Sequence, residues 1–131
     1  YGPDDWLDAV RGAGGADVIV DPVGGDVFDA SLRALAPEGR LLTLGYASGR
    51  IPSAPANRLL LRNSDVRGVN WLGLICAHPA LFRSTAAALA GLLAAGMPGP
   101  TVVEYDFTDG ARAFADLESR SVVGKAVLRL R

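Results

Sequence analysis

Two short apolar runs, Val18-Ile19-Val20 and Leu41-Leu42-Thr43-Leu44, start about 23 residues apart, and Phe28, Leu32 and Leu35 repeat at helical spacing between them. A short unbroken apolar run is the mark of a strand covered on both faces, as in parallel sheets. Parallel neighbours need a long crossover, and a helix of this length supplies one. The chain is therefore expected to hold a strand–helix–strand unit. Its first turn is Pro22-Val23-Gly24-Gly25, and Pro37-Glu38-Gly39 ends the helix.

Around this unit the pattern predicts further elements. Asp4-Asp5 beside Pro3 suits a helix start, because carboxylates favour the positive end of the helix dipole. Trp6, Leu7 and Val10 give that helix an apolar face, and Gly12, Gly14 and Gly15 stop it. Tyr46 to Pro55 is rich in Ser, Gly and Pro and reads as a loop, followed by a helix over Ala56 to Arg62. Asp65 to Asn70 mixes Val66 and Val69 with Arg67, which suits an edge strand. His78-Pro79 opens the longest helix, with Phe82, Ala86, Leu89 and Leu93 on one face. Val103, Tyr105 and Phe107 alternate with acids as in a half-exposed strand, Thr108 is a good N-cap for the next helix, and Ala126 to Leu130 form a last strand. The reading is α/β: residues 1–70 form a parallel-sheet block, and 71–131 form a helix–strand–helix–strand block that needs something else to pack against.

Composition narrows the function classes. Half of the 131 residues are hydrophobic, enough for a real core, and the formal net charge is −1 with Lys and Arg scattered. That is a poor footprint for a nucleic-acid binder, which needs a basic patch. No apolar stretch reaches the roughly 18 residues of a membrane span. Cys76 is the one cysteine, which excludes an internal disulfide framework and fits a reducing compartment; a cytoplasmic protein is expected. The opening residues are polar and acidic, unlike a secretory signal. Without an initiator Met they suggest a fragment or an engineered piece.

Chemistry is expected at the carboxyl ends of the strands, where open parallel sheets expose backbone N–H groups on one rim. Three turns qualify: Pro22-Val23-Gly24-Gly25, Gly45-Tyr46-Ala47-Ser48-Gly49 and Asn70-Trp71-Leu72-Gly73. Glycine lets a flat ring or a sugar approach the main chain closely, and backbone groups there suit a carboxamide. The competing explanation is that these glycines only make tight turns. No G-x-G-x-x-G motif and no P-loop appears, so a dinucleotide would place only its nicotinamide end and fringe contacts here. Cys76 and His78 are two ligands where zinc needs three or four, so no metal site is assigned. Nor do they form a nucleophile–base pair.

The ordered set of segments resembles the medium-chain dehydrogenases/reductases. Ala16-Asp17-Val18-Ile19-Val20-Asp21-Pro22-Val23-Gly24-Gly25 is similar to that family's D-x-V-G-G strand-turn. Gly39 to Gly45, Pro55 to Leu61, Gly68-Val69-Asn70-Trp71 and the closing Val123-Gly124-Lys125-Ala126-Val127-Leu128 follow in the same order. The nearest branch looks like the zinc-independent quinone oxidoreductases. The resemblance implies that residues 1–70 are the second half of a Rossmann-like NAD(P)-binding domain and that 71–131 are the C-terminal segment of the catalytic domain. It implies NADP as cofactor, with NAD possible, and no zinc. By carry-over, Tyr1 lies near the adenosine phosphate end, and Val23 and Gly24 near the nicotinamide ribose. Gly45, Tyr46, Ser48 and Gly49 match the next strand end, Asn70, Trp71 and Leu72 the carboxamide rim, and Lys125 a position reaching the cofactor phosphates. A solvated lysine at a strand start explains Lys125 equally well.

The implied activity is hydride transfer from NAD(P)H to a quinone or other conjugated carbonyl compound, with the cofactor doing the chemistry and no catalytic side chain named. A homodimer joined along the edge strand near residues 65–70 is also implied. One rival is an enoyl-reductase module of a polyketide or fatty-acid synthase, which flanking synthase sequence would reveal. Another is a non-catalytic truncated domain serving interaction or oligomerisation, which would show no nucleotide affinity. The fragment alone is expected to be inactive. Half of a doubly wound sheet also leaves apolar faces bare. At roughly 25 cal/mol per Å², several hundred such Å² amount to on the order of 10 kcal/mol, so the isolated piece is expected to self-associate, swap elements or pack differently.

Overall fold

Helix α1 (Asp5–Gly12) leads into strand β1 (Ala16–Asp21), helix α2 (Gly25–Ala34) and strand β2 (Leu35–Thr43) in the computed structural model, which describes residues 5–130. β1 and β2 are parallel, so the expected crossover unit forms. Helix α3 (Ala56–Arg62) then carries the chain to strand β3 (Asp65–Gly68), which adds in parallel to the far side of β2 and gives the order β1-β2-β3. Helix α4 (Trp71–Ala77) follows. These elements belong to a first compact unit that runs through Pro79; a second begins at Ala80.

The core of the first unit lies on one face of this sheet. Phe28 and Leu32 of α2 pack with Leu35 and Leu41, joined by Ile19, Leu59 and Val66. Leu7, Ala30 and Ala34 form an adjoining cluster with Trp6, Val10 and again Ile19. Strand side chains alternate between faces, so Val18 and Val20 turn away from Ile19 and are 59% and 57% exposed. The expectation that β1 is covered on both faces is therefore corrected. The order β1-β2-β3 steps one way, and right-handed crossovers of that kind put both connecting helices on the same face.

A second correction concerns β2. Leu35, read as helical, leaves α2 in extended geometry (φ −61°, ψ 137°) yet is fully buried. Pro37-Glu38-Gly39 is not the helix end but a break inside the strand. Pairing moves from Ala16–Leu35 to Val18–Arg40, and Glu38 takes a positive φ of 63°. The extra length bulges out of the ladder, and pairing resumes at Arg40.

In the second unit, helix α5 (Pro79–Ala94) precedes strand β4 (Val102–Asp106), a 3-10 turn (Phe107–Asp109), helix α6 (Gly110–Glu118) and strand β5 (Lys125–Arg129). β4 and β5 pair in parallel, with Glu104 and Arg129 ion-paired across them. Tyr105 and Ala113 are buried between α6 and the strands, and the Tyr105 hydroxyl donates to Asp116 Oδ2 at 3.0 Å. Two expectations are corrected. Phe107 leaves the strand and Thr108 sits inside the 3-10 turn, so Asp109 rather than Thr108 precedes α6, without a side-chain cap. The expected long helix forms as α5; none of its residues is buried, and Phe82 and Leu89 are about half exposed.

Candidate functional site

The first two strand ends are zipped together. Asp21 is buried at the end of β1, and its Oδ1 accepts from the amides of Val23 and Gly24 at 2.8 and 2.9 Å. That carboxylate folds the chain into an Asx-type turn. The loop after β2 then lies against it. Leu44 N donates to the Asp21 carbonyl at 2.9 Å, Ala47 N to that of Pro22 at 3.2 Å, and Ser48 N to that of Val23 at 2.9 Å. In return the Gly25 amide donates to the Arg50 carbonyl at 3.1 Å. Gly24 has φ 69° and ψ −155°, a region open essentially to glycine alone. A Cβ there would sit 3.0 Å from both the Arg50 carbonyl oxygen and Tyr46 Cδ1. The tight-turn explanation thus accounts for Gly24, whose bare surface is used by the neighbouring loop.

Arg50 straps this loop to α2. Its guanidinium reaches Asp26 and Asp29, each at 2.7 Å. Hydrogen bonding to Asp29, above all, holds Arg50 more firmly protonated than an ordinary arginine. Sequence reasoning missed Arg50, because its partners lie 24 and 21 residues away.

The third rim lies beside the second. Val69 N donates to the Thr43 carbonyl at 2.9 Å, and a concavity of about 420 Å³ opens between the two strand ends, lined by Thr43, Leu44, Gly45, Tyr46, Val69 and Asn70 among others. The three rims after Val20, Leu44 and Val69 are therefore contiguous. Asn70-Trp71-Leu72-Gly73 is not a turn, however. It is the start of α4, with Asn70 as N-cap accepting from the Gly73 amide at 3.0 Å. The run was misread because Gly73 looks like a breaker; the signal that identifies it is an Asn immediately before apolar residues.

Of the residues singled out from sequence, Val23, Gly24, Tyr46 and Ser48 meet at the first two rims, and Gly45 and Asn70 meet at the concavity with Tyr46. Gly49 is open, with nothing near its absent Cβ. Trp71 and Leu72 project from the first turn of α4, 43% and 68% exposed. Lys125 starts β5 in the second unit, and Tyr1 lies outside the described residues.

A nicotinamide carboxamide needs a rim without bulk and with polar groups unspent. Gly45 supplies the first. Thr43 supplies the second, since its hydroxyl is buried without a partner in the described structure. The concavity suits such a ring. Among the described residues no three His, Cys, Asp or Glu side chains converge as a metal site would need, so no zinc donor set is assigned to this stretch. Nor is any single helix there long and apolar enough to cross a membrane.

Comparison with known proteins agrees with this architecture. The family model described as zinc-binding dehydrogenase matches residues 1–128. Quinone oxidoreductase-like protein 2 of Bos taurus is 38% identical over 122 residues, which are 92% of this chain and 35% of that protein. This chain thus spans about a third of the curated relative's length. A probable oxidoreductase from Mycobacterium abscessus is similar over 97% of this chain and 38% of its own, at 36% identity and a TM-score of 0.76. A mycobacterial protein complexed with NADPH is similar over 98% of this chain and 40% of its own, at 32% identity and a TM-score of 0.77. With a parallel-stranded α/β fold shared with these structures and a family match along nearly its whole length, this chain belongs to the zinc-binding dehydrogenase family.

Proposed function

We propose that this stretch supplies the nicotinamide end of an NADPH site in an oxidoreductase acting on a quinone or a conjugated enone. The contiguity of the three strand-end rims around the concavity lined by Thr43, Gly45, Tyr46 and Asn70 carries this reading. The NADPH complex of a relative at 32% identity supports the cofactor, and the quinone oxidoreductase-like relative supports the substrate class. When bound, the reduced nicotinamide would supply the hydride. The chain's own residues bind and orient. Gly45 leaves the main chain open to a flat ring, the Thr43 hydroxyl offers a polar contact, and the Arg50 strap fixes the loop that carries Tyr46 and Ser48. Trp71 and Leu72 flank the rim from α4. The pyrophosphate would be gripped by sequence outside these 131 residues, which hold no glycine-rich phosphate loop. Pairing with a second copy along β3, an outer strand of the described sheet, belongs to the same proposal.

Reduced nicotinamide mononucleotide, which lacks the adenosine half, tests the site directly. Titrated into the isotope-labelled chain, it should shift the amides of Gly45, Tyr46 and Asn70. Saturating shifts elsewhere, or none at these three, would overturn the assignment.

A further inference from the structure

At the other end of the sheet, three helices bring four arginines to one concavity of about 240 Å³, lined by Arg11, Leu32, Arg33, Arg58, Leu61 and Arg62. Arg62 fixes the location, since its guanidinium donates to the carbonyl of Leu35, the first residue of β2. The rims lie at the carboxyl end of that strand. Arg40, Arg50, Arg112 and Arg129 have carboxylate partners; among the described residues none of the four around this concavity has one.

Helix dipoles account for part of the cluster. Arg11, Arg33 and Arg62 each occupy the last turn of a helix, where a cation is favoured. Arg58 does not fit that explanation. It is the third residue of α3, near the end where a cation is disfavoured, and it stands four residues before Arg62 on the same helix face. Like charges so spaced repel. An anion shared among the four guanidinium groups removes that repulsion, and the planar guanidinium fork matches phosphate oxygens in pairs.

We propose that this concavity binds a phosphoanion of diphosphate size. Its volume is below the about 300 to 1,000 Å³ of pockets for whole drug-sized ligands, so it takes a small group rather than an entire molecule, and the four arginines that line it select an anionic one. Leu61, 81% exposed at its edge, offers an apolar flank to the carbon skeleton next to that group. The site shares no residue with the proposed nicotinamide rim and stands or falls separately from it.

Inorganic pyrophosphate is the probe, titrated calorimetrically into the 131-residue chain at low ionic strength. One saturable site is expected, weakened by added salt, with affinity reduced about tenfold or more in Arg33→Gln/Arg58→Gln and unchanged in Arg83→Gln. The double variant should melt with the parent, which separates lost binding from lost folding. No saturable binding below about 5 mM, parental affinity in the double variant, or amide shifts confined to Gly45 and Tyr46 would overturn the proposal. Phosphatidylglycerol vesicles offer the same chemistry on a surface, and retention on them without binding of free pyrophosphate would also overturn it.

Discussion

The Gly24 amide donates to Asp21 Oδ1 at 2.9 Å, inside a turn where Asp21 is 1% exposed. The same oxygen takes the Val23 amide, whereas Oδ2 has no partner in the described structure. Asp21→Ala strands two amides in a buried turn and should cost about 2–4 kcal/mol. Asp21→Asn keeps the accepting oxygen and should stay within about 1 kcal/mol of the parent. Urea unfolding followed by circular dichroism reads both. Equal losses in the two variants would show that the turn does not depend on that oxygen.

Gly24 also faces Arg50 across the rim. Its φ and ψ exclude other residues, and an added Cβ would meet the Arg50 carbonyl oxygen at 3.0 Å. Gly24→Ala should therefore cost about 1–3 kcal/mol and loosen the loop carrying Tyr46. Hydrogen exchange should report faster exchange at Ala47 and Ser48, whose amides are bonded to the carbonyls of Pro22 and Val23. Unchanged protection at both would mean that the two rims are not held together there.

The crossover unit was legible because an unbroken apolar run and a helical repeat each record which residues can be buried. They do not record what buries them. Val18 and Val20 read as doubly covered, while α1, α2 and α3 all stand on the face of Ile19. Leu35 extended the helical repeat past the real helix end, because its pairing with Ala16 and its burial outweigh local periodicity. The candidate rims were found through glycines, yet Gly24 serves the loop packing of Tyr46 and Arg50. Thr43 drew no notice, since an orphaned hydroxyl is visible only once its surroundings are built.

Arg40 and Asp65 face each other across β2 and β3 with two side-chain contacts from Arg40 Nε, at 2.8 and 2.9 Å, and one from Nη2 at 2.8 Å. Hydrogen bonding to Arg40, with its positive charge, holds the Asp65 carboxyl below the usual carboxylate range. A depressed carboxylate contributes stability above its unfolded-state value and loses it as pH falls through the folded-state value. Parent and Asp65→Asn should therefore differ most near neutral pH and converge in acid. Both groups are about half exposed, so added salt should shrink the difference as well. A gap that persists unchanged at low pH would rule out the ion pair as its source.

The bare face of β1 makes the last prediction. Val18 and Val20 point from it into solvent, β1 is an outer strand of the described sheet, and Leu42 lies on the neighbouring strand beside a groove lined by Val18, Leu74 and Ala77. An outer strand with apolar side chains is a template for pairing with another chain. At about 25 cal/mol per Å², about 400 Å² of apolar surface covered between copies offsets on the order of 10 kcal/mol of association entropy. The 131-residue chain should therefore sediment as a concentration-dependent mixture above its monomer mass of 13.6 kDa. Val18→Lys/Val20→Lys should remove the part of this association that runs through β1, leaving pairing along β3, without lowering the melting midpoint, since neither side chain belongs to the two core clusters. If the double variant associates as strongly as the parent, the contact lies elsewhere, and the outer edge of β3 becomes the place to substitute next.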